Sequence, residues 1–248
     1  MTWYEGIIGH EWKEMIVLAS VPLWKYEGIL PVANASGCLV ECYDSRFLLS
    51  IAHASVADSE WRMEVQSVDL NGGYPTTVLQ PVRMNSLGKL HYLADENQFT
   101  DSELVDFTYL KIPPNLSSYH VIAIIGEQQV IGADRTIFKI DFSAEPVFDQ
   151  VYGFYGNVKF LGVEGNRLLF SHRLEDNLRY IKSEGDYHVF QLPHKYGSHT
   201  NYQGCSGAPI IDKNNNVIAL VAFGEKSTNT IYGINISKFK SALQIESQ

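Results

Sequence analysis

The sequence predicts an all-β protein built from barrels or sandwiches, and three observations carry that reading. Short apolar or alternating runs recur along the chain, turn-forming residues separate them, and only the C-terminal tail has helical spacing. In order, the first-half strands are "MIVLASVPL" (15–23), "GCLVECY" (37–43), "RFLLSIAH" (46–53), "WRMEVQSV" (61–68), "TTVLQPVRM" (76–84) and "LVDFTYLKI" (104–112). Tyr43-Asp44-Ser45 and Asn71-Gly72-Gly73 supply turns between them. The second half continues with "YHVIAIIG", "RTIFKIDF", "VYGFYGNVKFLGV", "RLLFSHRL", "YHVFQLP" and "APIIDKNNNVIALVAFG", in which Asp212–Asn216 is a turn between two buried strands. In the tail, Ile236, Phe239 and Leu243 fall on one helical face. The segment "PPNLSSYH" (113–120) interrupts the strands and divides the chain into regions 1–115 and 116–248.

At 248 residues, 45% of them hydrophobic and 19% charged, the chain has length and composition for a substantial core. A net charge of −9 argues against nucleic acid or an anionic membrane surface as the main partner. The start, "MTWYEGIIGHEWKEM", has acids where a signal peptide needs basic residues, and no segment reaches the roughly 20 apolar residues that would span a bilayer. Three cysteines, Cys38, Cys42 and Cys205, are too few and too odd for a disulfide framework. A cytoplasmic location is therefore the expectation.

The stretch "YQGCSGAPII" (202–211) sets two candidate nucleophiles side by side, Cys205 and Ser206. A serine hydroxyl needs a base to take its proton, donors for the oxyanion it creates, and a group that fixes the base's tautomer. His53 is the candidate base. It ends the apolar strand "FLLSIAHAS", where small neighbours leave room for another chain, although a strand-end histidine bonded to backbone would read the same way. Asp106 is the candidate carboxylate, because an acid inside the apolar run "ELVDFTYLKI" needs a buried partner. Asp95, Asp101 and Glu103 belong to the polar segment "ADENQFTDSE", which reads as a solvated loop.

Together "SIAHAS", "VDFTYLKI" and "GCSGAP" resemble the motifs of the trypsin/chymotrypsin-like serine proteases, in that family's His, Asp, Ser order. Upstream, "ASGCLVECYDSRFLLSIAHA" looks like the hairpin that introduces the histidine, and "VIALVAFGE" resembles the strand lining the substrate cleft. The resemblance spans roughly residues 14 to 240 and implies two packed antiparallel six-stranded β-barrels. His53 and Asp106 would come from the first, and Ser206 from the second, which the C-terminal helix would close. It also implies a serine endopeptidase acting on polypeptides, with Gly204 and Ser206 giving the oxyanion-hole amides and no metal or cofactor.

The motif's register makes Ser206 the nucleophile, since Gly207 and Pro209 fall where the motif has glycine and proline. Cys205 is then expected to pack inward. By the same resemblance, the specificity pocket is walled by Thr200, by Ala222-Phe223-Gly224 and by Gly233. With no acid in "GSHTNYQG" (197–204), a neutral substrate side chain is expected over Lys or Arg unless Glu225 reaches in. "EGIIGHEW" (5–12) looks like the start of an activated zymogen, but Cys205 stands where that mechanism needs an acid. The chain is thus similar to the disulfide-free, unprocessed branch found among intracellular bacterial members. The alternative function is a latent or inactive module with this fold, which binds, regulates or awaits an activating or sensor chain.

Overall fold

The structure is a computed structural model that describes residues 9–27, 30–55, 61–67, 76–82, 85–88, 104–114, 116, 119–125, 129–164, 167–198 and 201–248. The first half contains α1 (Glu11–Ala19), β1 (Val21–Glu27), β2 (Leu30–Cys42), β3 (Ser45–Ser50), β4 (Trp61–Ser67), β5 (Thr76–Val82), β6 (Asn85–Gly88) and β7 (Leu104–Ile112). A separate hairpin, β8 (Tyr119–Ile125) and β9 (Gln129–Asp134), and the short β10 (Ile137–Lys139) lead into the second half. That half contains β11 (Val151–Glu164), β12 (Arg167–Glu184), β13 (Tyr187–Gln191), β14 (Pro209–Asp212), β15 (Val217–Glu225) and β16 (Thr230–Asn235). A 3-10 turn (Ile236–Phe239) and α2 (Lys240–Glu246) end the chain.

The two halves differ in closure. The second is a closed six-stranded barrel, β11-β12-β13-β16-β15-β14, as expected. The first, among the described residues, is an open sheet ordered β5-β4-β1-β2-β3-β7-β6, with β10 parallel to β2. Local chemistry sets the tight connections. The β2–β3 hairpin turns through Tyr43 and Asp44, both at positive φ (50° and 56°), the two-residue turn whose twist suits antiparallel strands. Between β14 and β15, Asp212 Oδ1 accepts from the amides of Asn214 and Asn216 at 2.8 and 2.9 Å, and Asn215 takes a φ of 67°.

One expectation fails outright. Residues 15–23 are not a single strand, because α1 occupies Glu11–Ala19 and β1 starts only at Val21. A continuous apolar run fits either element, and here the four-residue repeat from Trp12 to Ile16, with acids in the first turn, favours a helix. Ile16, Val17 and Ala19 are buried, while the Trp12 indole donates to the Asp176 carbonyl at 3.0 Å, so α1 packs on the second half.

The tail helix forms with Ile236, Phe239 and Leu243 buried, but it does not simply close the second barrel. Phe239 lies 4.3 Å from Phe107 of β7, ring centroid to ring centroid, and Lys111 Nζ donates to the Glu246 carbonyl at 3.0 Å. One core cluster consequently joins Phe47, Phe107 and Tyr109 of the first half to Ile211, Leu220 and Phe239 of the second.

Burial of the Phe239 ring makes a quantitative expectation. Phe239→Ala should cost about 3–5 kcal/mol. In a double-mutant cycle with Phe107→Ala, the two should couple by at least about 0.5 kcal/mol, measured by chemical denaturation.

Candidate active site

His53 lies on the turn that follows β3. Ser55 pins this turn, its hydroxyl lying 2.8 Å from the Ile51 carbonyl and 2.9 Å from Thr108 Oγ1 on β7. Asp106 is two residues before Thr108 on the same strand, so the pin sets the two side chains facing each other. Asp106 Oδ1 accepts from the His53 backbone amide at 2.8 Å, and Oδ2 lies 2.6 Å from His53 Nδ1. With Nδ1–H donating to the carboxylate, the lone pair is left on Nε2, the tautomer a general base needs.

Ser206 sits on the loop before β14. Gly204 and Gly207 hold φ values of 92° and 89°, conformations open to glycine at little cost. The loop is laced to β15: Gly207 N donates to the Val221 carbonyl and Val221 N to the Ala208 carbonyl, both at 2.8 Å. Cys205 N donates to the Tyr202 carbonyl at 2.9 Å, whereas the amides of Gly204 and Ser206 meet no acceptor among the described residues. Two unpartnered donors beside a hydroxyl suit an anionic oxygen.

Cys205 is fully buried among Tyr152, Phe154 and Ile210. Burial pushes its thiol well above the ordinary range, so it stays protonated, which disqualifies it as the nucleophile.

His53 and Ser206 line one cavity of about 320 Å³, together with Gly204, Ala222, Phe223 and Gly224. In this structure the Ser206 hydroxyl donates to the Ala222 carbonyl at 3.1 Å and not to His53. Gly233 is not among the lining residues: a Cβ there would stand 2.7 Å from Ile210 Cδ1 and 2.8 Å from Ala219 Cβ, so at that level β16 meets barrel packing. Ile231 of the same strand lines the cavity instead. Thr200 lies outside the described residues, as does Ile7. Glu225 does not line the cleft. Its carboxylate accepts from Ser227 Oγ at 2.7 Å and Thr228 Oγ1 at 3.1 Å, bonds that hold it below the usual carboxylate range. No Asp, Glu, Lys or Arg is among the cavity's described lining residues.

Three sets of residues escaped the sequence reading. Ser36 of β2 holds the Ser206 loop from the other half: its amide donates to the Ser206 carbonyl at 2.8 Å and its hydroxyl to the Gly204 carbonyl at 2.9 Å. Behind the loop, Glu175 is buried, with Oε1 accepting from Tyr202 Oη at 2.9 Å and Oε2 lying 2.9 Å from His194 Nε2. Arg173 Nε donates to Oε1 at 2.5 Å. Tyr196 is the third, lining the cavity from the segment after β13. A polar residue on a strand face gave no signal of a partner distant in sequence.

Searches by sequence find neither a protein-family match nor a curated relative. Solved structures do match. Human heparin binding protein superposes with a TM-score of 0.54 at 12% identity, covering 93% of this chain and 92% of its own. A serine endoprotease from Yersinia pestis gives 0.52 at 13% identity over 99% of this chain, which spans 66% of that longer protein. The fold is chymotrypsin-like. The three cysteines of this chymotrypsin-like chain are all free, in keeping with a disulfide-free form.

The Ser36 contacts should be measurable. Ser36→Ala removes a buried hydroxyl that also accepts from Asn157 N at 3.2 Å, so it should destabilise the protein by about 1–3 kcal/mol in thermal or chemical unfolding.

Proposed function

We propose that the chain is a serine endopeptidase that cleaves polypeptides through an acyl-enzyme. The observation that carries this reading is that His53, held by both oxygens of Asp106, shares one cavity with Ser206. Rotation of the Ser206 side chain away from the Ala222 carbonyl brings Oγ to His53 Nε2. Nε2 takes the hydroxyl proton as Oγ attacks the substrate carbonyl. Asp106 stabilises the imidazolium by accepting from Nδ1–H, and the Gly204 and Ser206 amides donate to the oxyanion. Collapse of the tetrahedral intermediate expels the amine, which receives its proton from Nε2. Water activated by the same nitrogen then releases the acyl group and restores the serine.

A second reading has its own observation. The Ser206 hydroxyl rests on Ala222, which fits a latent or binding module that an activating or sensor chain would switch on. Among the structural neighbours, one is described by heparin binding and another as an endoprotease, so the fold is compatible with either role.

A serine-directed fluorophosphonate separates the two. The isolated protein should label at Ser206, and Ser206→Ala should abolish labelling. His53→Ala and Asp106→Asn should lower peptide hydrolysis by about 10³–10⁴-fold with the thermal unfolding signature retained. An unlabelled wild-type protein that labels only after a partner is added would support the latent reading. The uncut chain should also match any form cleaved between Gly6 and Ile7, and a mild reductant should leave activity unchanged, as expected for free thiols.

A further inference from the structure

The side chain of the residue whose carbonyl Ser206 attacks has to enter the cavity beside Ser206. One flank of that cavity is the loop Tyr202–Gly204, and the other is Val221–Gly224 of β15. The Tyr196 ring spans from one flank to the other. Its centroid is 4.5 Å from that of Tyr202, and a Cβ added at Gly224 would lie 2.2 Å from Tyr196 Cε2 and 2.3 Å from its hydroxyl oxygen. Gly224 thus has no side chain because the tyrosine ring occupies the space where one would go. Tyr196 is 2% exposed, so the ring is embedded, and the residue lines the cavity.

The tyrosine is also fixed in place. Its backbone amide donates to Asn229 Oδ1. Asn229, at a φ of 61°, donates from Nδ2 to the His194 carbonyl at 2.6 Å, and its own carbonyl accepts from Gln191 Nε2 at 2.7 Å and Leu192 N at 3.1 Å. Swinging the ring out would break packing on both flanks against a segment tied down by these bonds. A floor held this way excludes by size, since well-packed interiors yield little to an extra methylene.

We propose that Tyr196 is the specificity-determining floor of this cleft, and that it restricts the substrate residue on the acyl side of the cut to short, neutral side chains of alanine, serine or valine size. The proposal rests on the peptidase reading above. Neutrality follows from the absence of Asp, Glu, Lys and Arg among the described lining residues, and shortness from the ring.

The test is a fluorogenic peptide library varied at that residue, run on the wild-type protein, Tyr196→Ala and Tyr196→Val, with a separate aliquot of each titrated with fluorophosphonate to count functional Ser206. For the wild type, kcat/KM for Ala, Ser or Val should exceed that for Leu, Phe, Lys or Arg by at least about tenfold, the discrimination that one misfit methylene supports. Tyr196→Ala should raise the Phe-to-Ala ratio by at least about tenfold and Tyr196→Val by less. A wild-type protein whose aliquot labels and whose unlabelled stock prefers Phe, Leu, Lys or Arg would overturn the proposal and leave the peptidase reading standing. Failure of the wild type to label would instead remove the peptidase reading, and this proposal with it. If Tyr196→Ala does not fold, the wild-type profile and Tyr196→Val decide. Unchanged ratios in a folded Tyr196→Val whose separate aliquot labels would also overturn it.

Discussion

Every part of the reactive geometry depends on one buried serine. Ser36 belongs to the sheet that carries His53 and Asp106, yet its amide and hydroxyl grip the carbonyls of Ser206 and Gly204 in the opposite barrel. Its own carbonyl accepts from Ser50 Oγ at 2.7 Å, so the grip continues into β3, the strand that leads to His53. The closeness of this joint explains Gly207, where a Cβ would stand 2.0 Å from the Ser36 carbonyl oxygen. Asn34, two residues away, adds bonds from Nδ2 to the carbonyls of Asn157 and Val158 at 2.9 and 3.1 Å. The base and nucleophile proposed for this chain come from different halves, and they stay in register only if such a seam is short and buried, because a displacement of an ångström is enough to slow a reaction between them severely.

Charge is distributed with the same economy of position. Among the described residues the cleft is lined by no Asp, Glu, Lys or Arg, while a buried carboxylate, Glu175, is met by Arg173, Tyr202 and His194 behind the loop. A buried ion with three partners is tolerable where an unpaired one is not. Through Tyr202, whose ring also carries the Arg173 guanidinium 5.0 Å from its centroid, this cluster braces the residues just before Ser206. The loop is therefore supported from in front by Ser36 and from behind by charge.

What could be seen in the sequence follows the range of the interactions. The Tyr43-Asp44 hairpin, the Asp212–Asn216 turn, the barrel strands and the tail helix are specified by neighbours a few residues apart, and they formed where expected. The approach of His53 to Asp106 was legible for a different reason, since an acid inside an apolar strand requires a partner. By contrast, Ser36, Glu175 and Tyr196 act on groups far away in sequence, and nothing local distinguishes them from ordinary strand or loop residues. The sequence does not distinguish α1 from a strand because the unbroken apolar run Met15–Ala19 fits either period; contact with Asp176 and Gly153 on the second half selects the helical one. On β16 the cavity is lined by Ile231, two residues along the same face from Gly233, so the difference is one of level along the strand, which local sequence does not fix.

The two ends of the chain cross over. α1 precedes the first sheet but lies against β11 and β12, and α2 follows the second barrel but leans on β7 through Phe107 and Lys111. Each half is thereby clasped by a segment encoded next to the other. Such an arrangement makes the halves poor candidates for separate evolutionary shuffling: a gene fragment for either would lack a helix that its sheet needs and expose the apolar face that helix covers. It also means that a nick in the connection between β10 and β11 would leave two pieces still interlocked, so backbone continuity there matters less to the assembled molecule than the two short helices at its ends.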